Sequence, residues 1–208
     1  MPRSGKDLVL KLFKSLYGLR QAPRTFFEKH RSGLLECGFE QSNIDPCLFM
    51  KEEMICVVYV DDTIFAGSSE EVLEAEIANL GICSDRNVHS FQLRNEGEVG
   101  TFLGILIKKT GPSEFSLTQP GRIEKVLKHT GMSDANGTHT PTTGAPVGED
   151  LDGLDFKEDW EYASVVGMLM YLAANTRADI AYAAHQAASF THRPKHSHAL
   201  SIMRILSI

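Results

Sequence analysis

Apolar and polar positions alternate most sharply between Ile55 and Gly67. Ile55-Cys56-Val57-Val58-Tyr59-Val60 climbs into two adjacent carboxylates, Asp61 and Asp62, and a second apolar run, Thr63-Ile64-Phe65-Ala66-Gly67, resumes after them. Val, Ile, Tyr and Phe dominate both arms, and the length of each predicts a strand rather than a helix. The pattern predicts a β-hairpin with Asp61 and Asp62 at its tip. Side chains alternate along a strand, so two neighbouring carboxylates cannot face the same way from a regular one. A tight turn offers both to one end of the sheet.

The rest of the chain follows the same logic. Residues 1–14 mix charge with Leu8, Val9, Leu10, Leu12 and Phe13 and predict a strand or an irregular entry. Gly18 breaks that run, and Pro23 suits the first turn of a helix carrying Phe26, Phe27, His30, Leu34 and Leu35, stopped by Gly38. Leu48-Phe49-Met50 pairs with Ile55–Val58 across a turn at Lys51-Glu52-Glu53. Ser68 or Ser69 caps a helix with Val72, Leu73, Ile77 and Leu80, ending near Gly81. Val99–Ile107 reads as one strand, and Gly111-Pro112 turns the chain into Phe115–Gln119, before a helix through Ile123, Val126 and Leu127.

Residues 131–158 are rich in Gly, Thr, Asp and Pro and read as an exposed linker. They separate a mixed region, residues 1–130, from a helical one, residues 159–208. The last region contains Tyr162 to Leu172, with Gly167 for close packing, then a helix opening at Thr176–Ile180, then one carrying His198 and Arg204-Ile205-Leu206. His192, His196 and His198 read as surface histidines, since no cysteine or acid sits near them in sequence.

Composition narrows the class without naming it. The chain has 208 residues, is 42% hydrophobic and 23% charged, and so has the make-up of an ordinary globular protein with a sizeable core. No run approaches the roughly 20 apolar residues of a membrane span. Cys37, Cys47, Cys56 and Cys83 are unevenly spaced, with no Cys-x-x-Cys, and read as reduced thiols that pack. The net charge of −6 argues against a nucleic-acid binder, but the first 31 residues carry eight bases against two acids, a local +6. A basic segment beside an acidic site would hold phosphates near a cation. The adjacent carboxylates themselves repel, and a hard divalent cation such as Mg²⁺ (or Mn²⁺) would remove that cost; the alternative is a polar Asp-Asp turn that only joins two strands, since Asp is a common turn residue.

Three motifs in order carry a family resemblance. Tyr59-Val60-Asp61-Asp62 resembles the catalytic signature of reverse transcriptases. Lys14-Ser15-Leu16-Tyr17-Gly18-Leu19-Arg20-Gln21-Ala22-Pro23-Arg24 and Asp45-Pro46-Cys47-Leu48-Phe49 are similar to the segments before it in the Ty1/copia retrotransposon type. Phe102-Leu103-Gly104-Ile105, preceded by Phe91-x-Leu93, resembles the family's primer-grip strand. Thr140-Pro141 and Arg177-Ala178-Asp179-Ile180, with alanine for the family's proline, resemble later elements.

The resemblance implies an α+β fold, an antiparallel polymerase palm sheet with flanking helices followed by a mainly helical connection region. It implies RNA-directed DNA polymerisation with two Mg²⁺ ions, Asp61 as direct metal ligand and Asp62 as a weaker or indirect one. Tyr17, Gly18, Arg20, Gln21, Arg24, Tyr59, Val60, Phe102, Leu103 and Gly104 would bind nucleotide or template–primer. RNA template, DNA primer and dNTP would be the partners, and the setting would be intracellular: cytoplasm, virus-like particle or nucleus, with no membrane association. The family's third carboxylate, on an upstream strand, has no match, because Lys6-Asp7-Leu8-Val9 departs from its motif. The chain therefore reads as the latter part of such an enzyme, either a fragment of an active polymerase or a non-catalytic remnant with at most weak nucleic-acid binding. A palm lacking a strand exposes an edge and apolar surface, which favours self-association.

Overall fold

The computed structural model describes residues 11–86, 94–112 and 114–208, with the backbone alone for 81–86. The entry segment to Leu10, the Cys83 side chain and Phe91–Leu93 lie outside the described residues. The fold is α+β, and the chain divides into two units, Met1–Gly97 and Glu98–Ile208.

In the first unit, Pro23 sits in the first turn of α1 (Ala22–Glu36). Gly38, at φ 87°, ends the helix in the left-handed conformation, and the Phe39 N–H closes back on the Leu34 carbonyl at 3.0 Å. Four strands follow, β1 (Glu40–Gln41), β2 (Leu48–Lys51), β3 (Met54–Tyr59) and β4 (Asp62–Gly67), antiparallel and in the order β1-β2-β3-β4. Helix α2 (Glu70–Arg86) starts at Ser69, whose hydroxyl accepts the Val72 N–H at 3.3 Å. The helix runs through Gly81, correcting the expected stop there.

Alternation along β3 buries Met54, Cys56 and Val58 and leaves Ile55 and Tyr59 exposed. The buried set joins Phe49 of β2, Leu34 of α1, Leu80 of α2, and Phe39 in one core. Lys51 ties the parts together: its ammonium lies 2.5 Å from the Glu76 carboxylate and 2.9 Å from the Cys37 carbonyl. The opposite sheet face carries Met50, Ile55 and Ala66 in one cross-strand row and Leu48, Val57 and Ile64 in the next. Among the described residues, β4 pairs with β3 alone, so its outer edge is open.

The second unit opens with β5 (Thr101–Phe102), β6 (Ile105–Gly111) and β7 (Glu114–Thr118), antiparallel in that order. The expected single strand at 99–107 is thus a hairpin, bent at Leu103-Gly104 by two consecutive positive φ angles, 53° and 80°. Then come α3 (Pro120–Thr130), closed by Gly131 at φ 69°, α4 (Tyr162–Asn175), a 3₁₀ turn (Ala178–Ile180), α5 (Ala181–Ala188) and α6 (His196–Leu206). Val126 of α3 shares one core with Val165, Leu169 and Leu172 of α4, Ala184 of α5, and Ile202 of α6. Gly167 packs against nothing: it is exposed, and an added Cβ there would meet open space, which corrects the expected close contact.

Residues 131–159 form no helix and no strand longer than one bridge, Asp155 with Lys195, yet they lie along α6. The Thr138 N–H donates to the Ser207 carbonyl at 2.6 Å, Arg204 donates to Thr140 at 3.0 Å, and Ser197 donates to Asp150 at 2.6 Å. His198, expected at the surface, is 1% exposed. Its Nδ1 accepts the Lys195 N–H at 2.9 Å, which leaves Nε2 to donate to the Gly148 carbonyl at 3.1 Å, and its ring stacks on Phe190 at 4.1 Å. The carbonyl and ring that bury it come from loops whose return path local sequence does not encode. No described helix is long and apolar enough to cross a membrane.

Candidate nucleic-acid and metal site

The β3–β4 hairpin is closed by Tyr59 opposite Asp62, so the two turn residues are Val60 and Asp61. The tip is therefore one residue earlier than expected. Asp62 is the first residue of β4, on the sheet face that Tyr59 shares, while Asp61 stands in the turn. Twisted strands joined by two residues need positive φ at the first of them, and Val60 has φ 54°. A β-branched side chain there is strained by about 1–3 kcal/mol. Both carboxylates are exposed, and among the described residues neither takes a hydrogen bond or an ion pair. Among the described residues, no cluster of three or more His, Cys, Asp or Glu side chains surrounds them. A pair of unpaired hard oxygen donors fits Mg²⁺, which usually keeps several waters and takes one or two carboxylates.

The strand that supports this tip is itself held by the preceding loop. The Asp45 carboxylate accepts the Cys47 N–H at 2.8 Å, and the Cys47 carbonyl accepts the Val58 N–H at 2.9 Å. Asp45-Pro46-Cys47 thus forms a loop ahead of β2 that extends the ladder towards the turn.

The upstream motif lies on an exposed segment leading into α1. Tyr17 is 98% exposed, and Gly18 has φ 90° with open space where a Cβ would stand. Glycine is needed there for its dihedral angle and not for room. Gln21 precedes the helix, and its carbonyl accepts from Thr25. Arg24 is paired with Glu28 one turn on at 2.8 Å, which raises its pKa, whereas the Arg20 side chain has no ion pair among the described residues.

Phe102, Leu103 and Gly104 belong to the second unit. The Leu103 carbonyl accepts the Tyr171 hydroxyl at 2.6 Å. The Arg122 guanidinium lies 4.6 Å from the centre of the Tyr171 ring, and a Cβ on Gly104 would fall 3.0 Å from Arg122 Nε. Arg122 and Tyr171 escape sequence reasoning. They stand on α3 and α4, 49 residues apart by number, and nothing local marks them.

Comparison with known proteins agrees with the motifs. A family model described as reverse transcriptase (RNA-dependent DNA polymerase) matches residues 3–144. The retrovirus-related Pol polyprotein from transposon RE1 of Arabidopsis thaliana is 35% identical over 204 residues, covering 96% of this chain and 13% of that protein. The corresponding polyprotein from transposon TNT 1-94 of Nicotiana tabacum is 30% identical, covering 97% of this chain and 16% of that protein. A putative transposon Ty5-1 protein of Saccharomyces cerevisiae is 25% identical over 96% of this chain and 64% of its own length. The chain thus spans a small part of the polyproteins. No solved structure matches it.

Proposed function

We propose that this chain, which belongs to the reverse transcriptase (RNA-dependent DNA polymerase) family, contributes the metal-binding hairpin and primer-holding turn of an RNA-directed DNA polymerase of the Ty1/copia type. The observation that supports this reading is the hairpin tip: Tyr59 pairs with Asp62, and the carboxylates of Asp61 in the turn and Asp62 at the start of β4 are both exposed with no internal partner among the described residues. The four-stranded sheet would be part of the polymerase palm, residues 131–158 a linker, residues 159–208 the helical connection region, and the setting intracellular.

In this reading Asp61 and Asp62 hold Mg²⁺ or Mn²⁺. A divalent cation bound there would stabilise negative charge on the attacking and leaving oxygens of a phosphoryl displacement. Tyr59 shares a sheet face with Asp62 and would support the primer end, with the Val60 backbone setting the angle of Asp61. Tyr17, Gly18, Arg20, Gln21 and Arg24 form a basic, exposed approach for template and incoming dNTP. The turn at Phe102-Leu103-Gly104 would hold the primer strand. Positioning and charge neutralisation carry most of such a reaction.

The test is primer extension on an RNA template with Mg²⁺ or Mn²⁺, set against Asp61→Asn. Asp61→Asn is expected to lower any extension by at least about 100-fold, since each 1.36 kcal/mol of lost transition-state stabilisation is tenfold. Full activity in the variant overturns the assignment. Folded wild-type protein that binds primer–template without extending it would instead establish the non-catalytic reading. Light scattering tests the open β4 edge: self-association is expected, and a monodisperse monomer would remove it from this account.

A further inference from the structure

Two neighbours flank Arg122, the Tyr171 ring and Gly104. Its guanidinium lies over the Tyr171 ring, 4.6 Å from the centroid. That ring is anchored in turn, because the Tyr171 hydroxyl donates to the Leu103 carbonyl at 2.6 Å. On its other side lies Gly104, where a Cβ would stand 3.0 Å from Arg122 Nε and 3.3 Å from a terminal nitrogen. Gly104 has φ 80°, a conformation that favours glycine at this turn, and the missing side chain leaves the guanidinium room beside it.

The held guanidinium is nevertheless unspent. Arg122 is exposed, and among the described residues its side chain has neither a carboxylate within ion-pair distance nor a hydrogen-bond acceptor. The acid nearest it in sequence, Glu124, is engaged by Lys128 at 2.7 Å. An arginine whose rotamer freedom has already been removed by stacking loses less entropy when it binds an anion. Its planar fork of donors matches the paired oxygens of a phosphodiester.

We infer that Arg122, fixed by Tyr171 and Gly104, is a preorganised phosphodiester contact beside the Leu103-Gly104 turn, taking a backbone phosphate of the strand that the turn holds. The assignment rests on the reading of this turn as a nucleic-acid-binding element. It makes Tyr171 a positioning residue, acting through Arg122 and Leu103.

The test is the salt dependence of binding between the 208-residue chain and a fluorescently labelled duplex of RNA template and DNA primer, measured by anisotropy. Each phosphate neutralised contributes roughly 0.7–0.9 to the slope of log K against log salt. Arg122→Ala is expected to reduce the magnitude of the slope by about that amount and to weaken binding several-fold at low salt. Arg122→Lys should retain the slope at lower affinity, because the charge stays and the fork is lost. Tyr171→Ala should fall between wild type and Arg122→Ala, while Tyr171→Phe, which keeps the ring, should keep the slope. Lys128→Ala, at a cation already paired, controls for general charge, and circular dichroism confirms folding of each variant. Inorganic phosphate is the second probe: if it competes with the duplex at equal phosphate concentration, Arg122 recognises free phosphate and the strand assignment is overturned. A wild-type slope in Arg122→Ala overturns the inference alone, with nucleic-acid binding left standing. Absence of duplex binding by the wild type overturns both readings.

Discussion

Tyr59 and Asp62 face each other as the last pair of the β3–β4 ladder, with Val60 and Asp61 making the whole of the turn between them. This pairing sets the directions of the two carboxylates: Asp62 leaves from a strand and shares Tyr59's face, while Asp61 leaves from the turn. It also forces Val60 to φ 54°, a conformation that a β-branched residue adopts at a cost.

Val60→Gly should therefore stabilise the chain, by roughly 1 kcal/mol, and should lower primer extension if the valine side chain supports the primer end. Urea unfolding followed by circular dichroism measures the first, and the extension assay the second. A variant less stable than wild type would show that the turn stores no strain.

Burial holds the His30 imidazole below its usual pKa. The folded chain then keeps His30 neutral where the unfolded chain has already taken up a proton. This contribution to stability is complete above the unfolded value of about 6.5 and declines as pH falls through it. The denaturation midpoint should drop between about pH 7 and about pH 5, and the drop should shrink in His30→Phe. Equal pH dependence in both proteins would exclude His30 as its source.

Thiol reactivity should separate the cysteines. Cys56 is fully buried, and desolvation pushes its thiol up to about 12, so the reactive thiolate is scarce. Cys37 is also buried, whereas Cys47 is partly exposed. Brief treatment of the native chain with iodoacetamide, mapped by peptide mass, should modify Cys47 while sparing Cys37 and Cys56. Early modification of Cys56 would contradict the core that surrounds it.

In the second unit the Tyr162 hydroxyl donates to the Ala187 carbonyl at 2.9 Å within the core. Tyr162→Phe leaves that buried carbonyl without this partner and should cost about 1–2 kcal/mol. Trp160, the one tryptophan, stacks near Tyr162 at 6.3 Å and reports unfolding of this unit by fluorescence. An unchanged midpoint would mean that the carbonyl finds water or another donor.

Much of the fold was legible in particular residues. Pro23 and Gly38 bracket α1, Ser69 opens α2, and Gly111-Pro112 turns β6 into β7. Each is a local device whose effect is spent within a few residues. The reading faltered where one signal served two outcomes. Val99–Ile107 looked like a continuous strand because Leu103-Gly104 is apolar, yet Gly104 permits a two-residue turn in which Leu103 also takes a positive φ. Gly81 looked like a stop, but α2 continues through it, since glycine weakens a helix interior without forbidding it.

Of the candidate site, Tyr59-Val60-Asp61-Asp62 and the family resemblance were determined by the sequence, because an apolar run interrupted by two carboxylates is a local pattern and a motif is read without a fold. The tertiary structure alone decided which pair closes the hairpin, that His198 is buried against Phe190 and Gly148, and that Arg122 and Tyr171 meet at Gly104. Periodicity along a chain records which side of an element avoids water. It does not record which distant residue will stand opposite, because that contact depends on the path by which the chain returns.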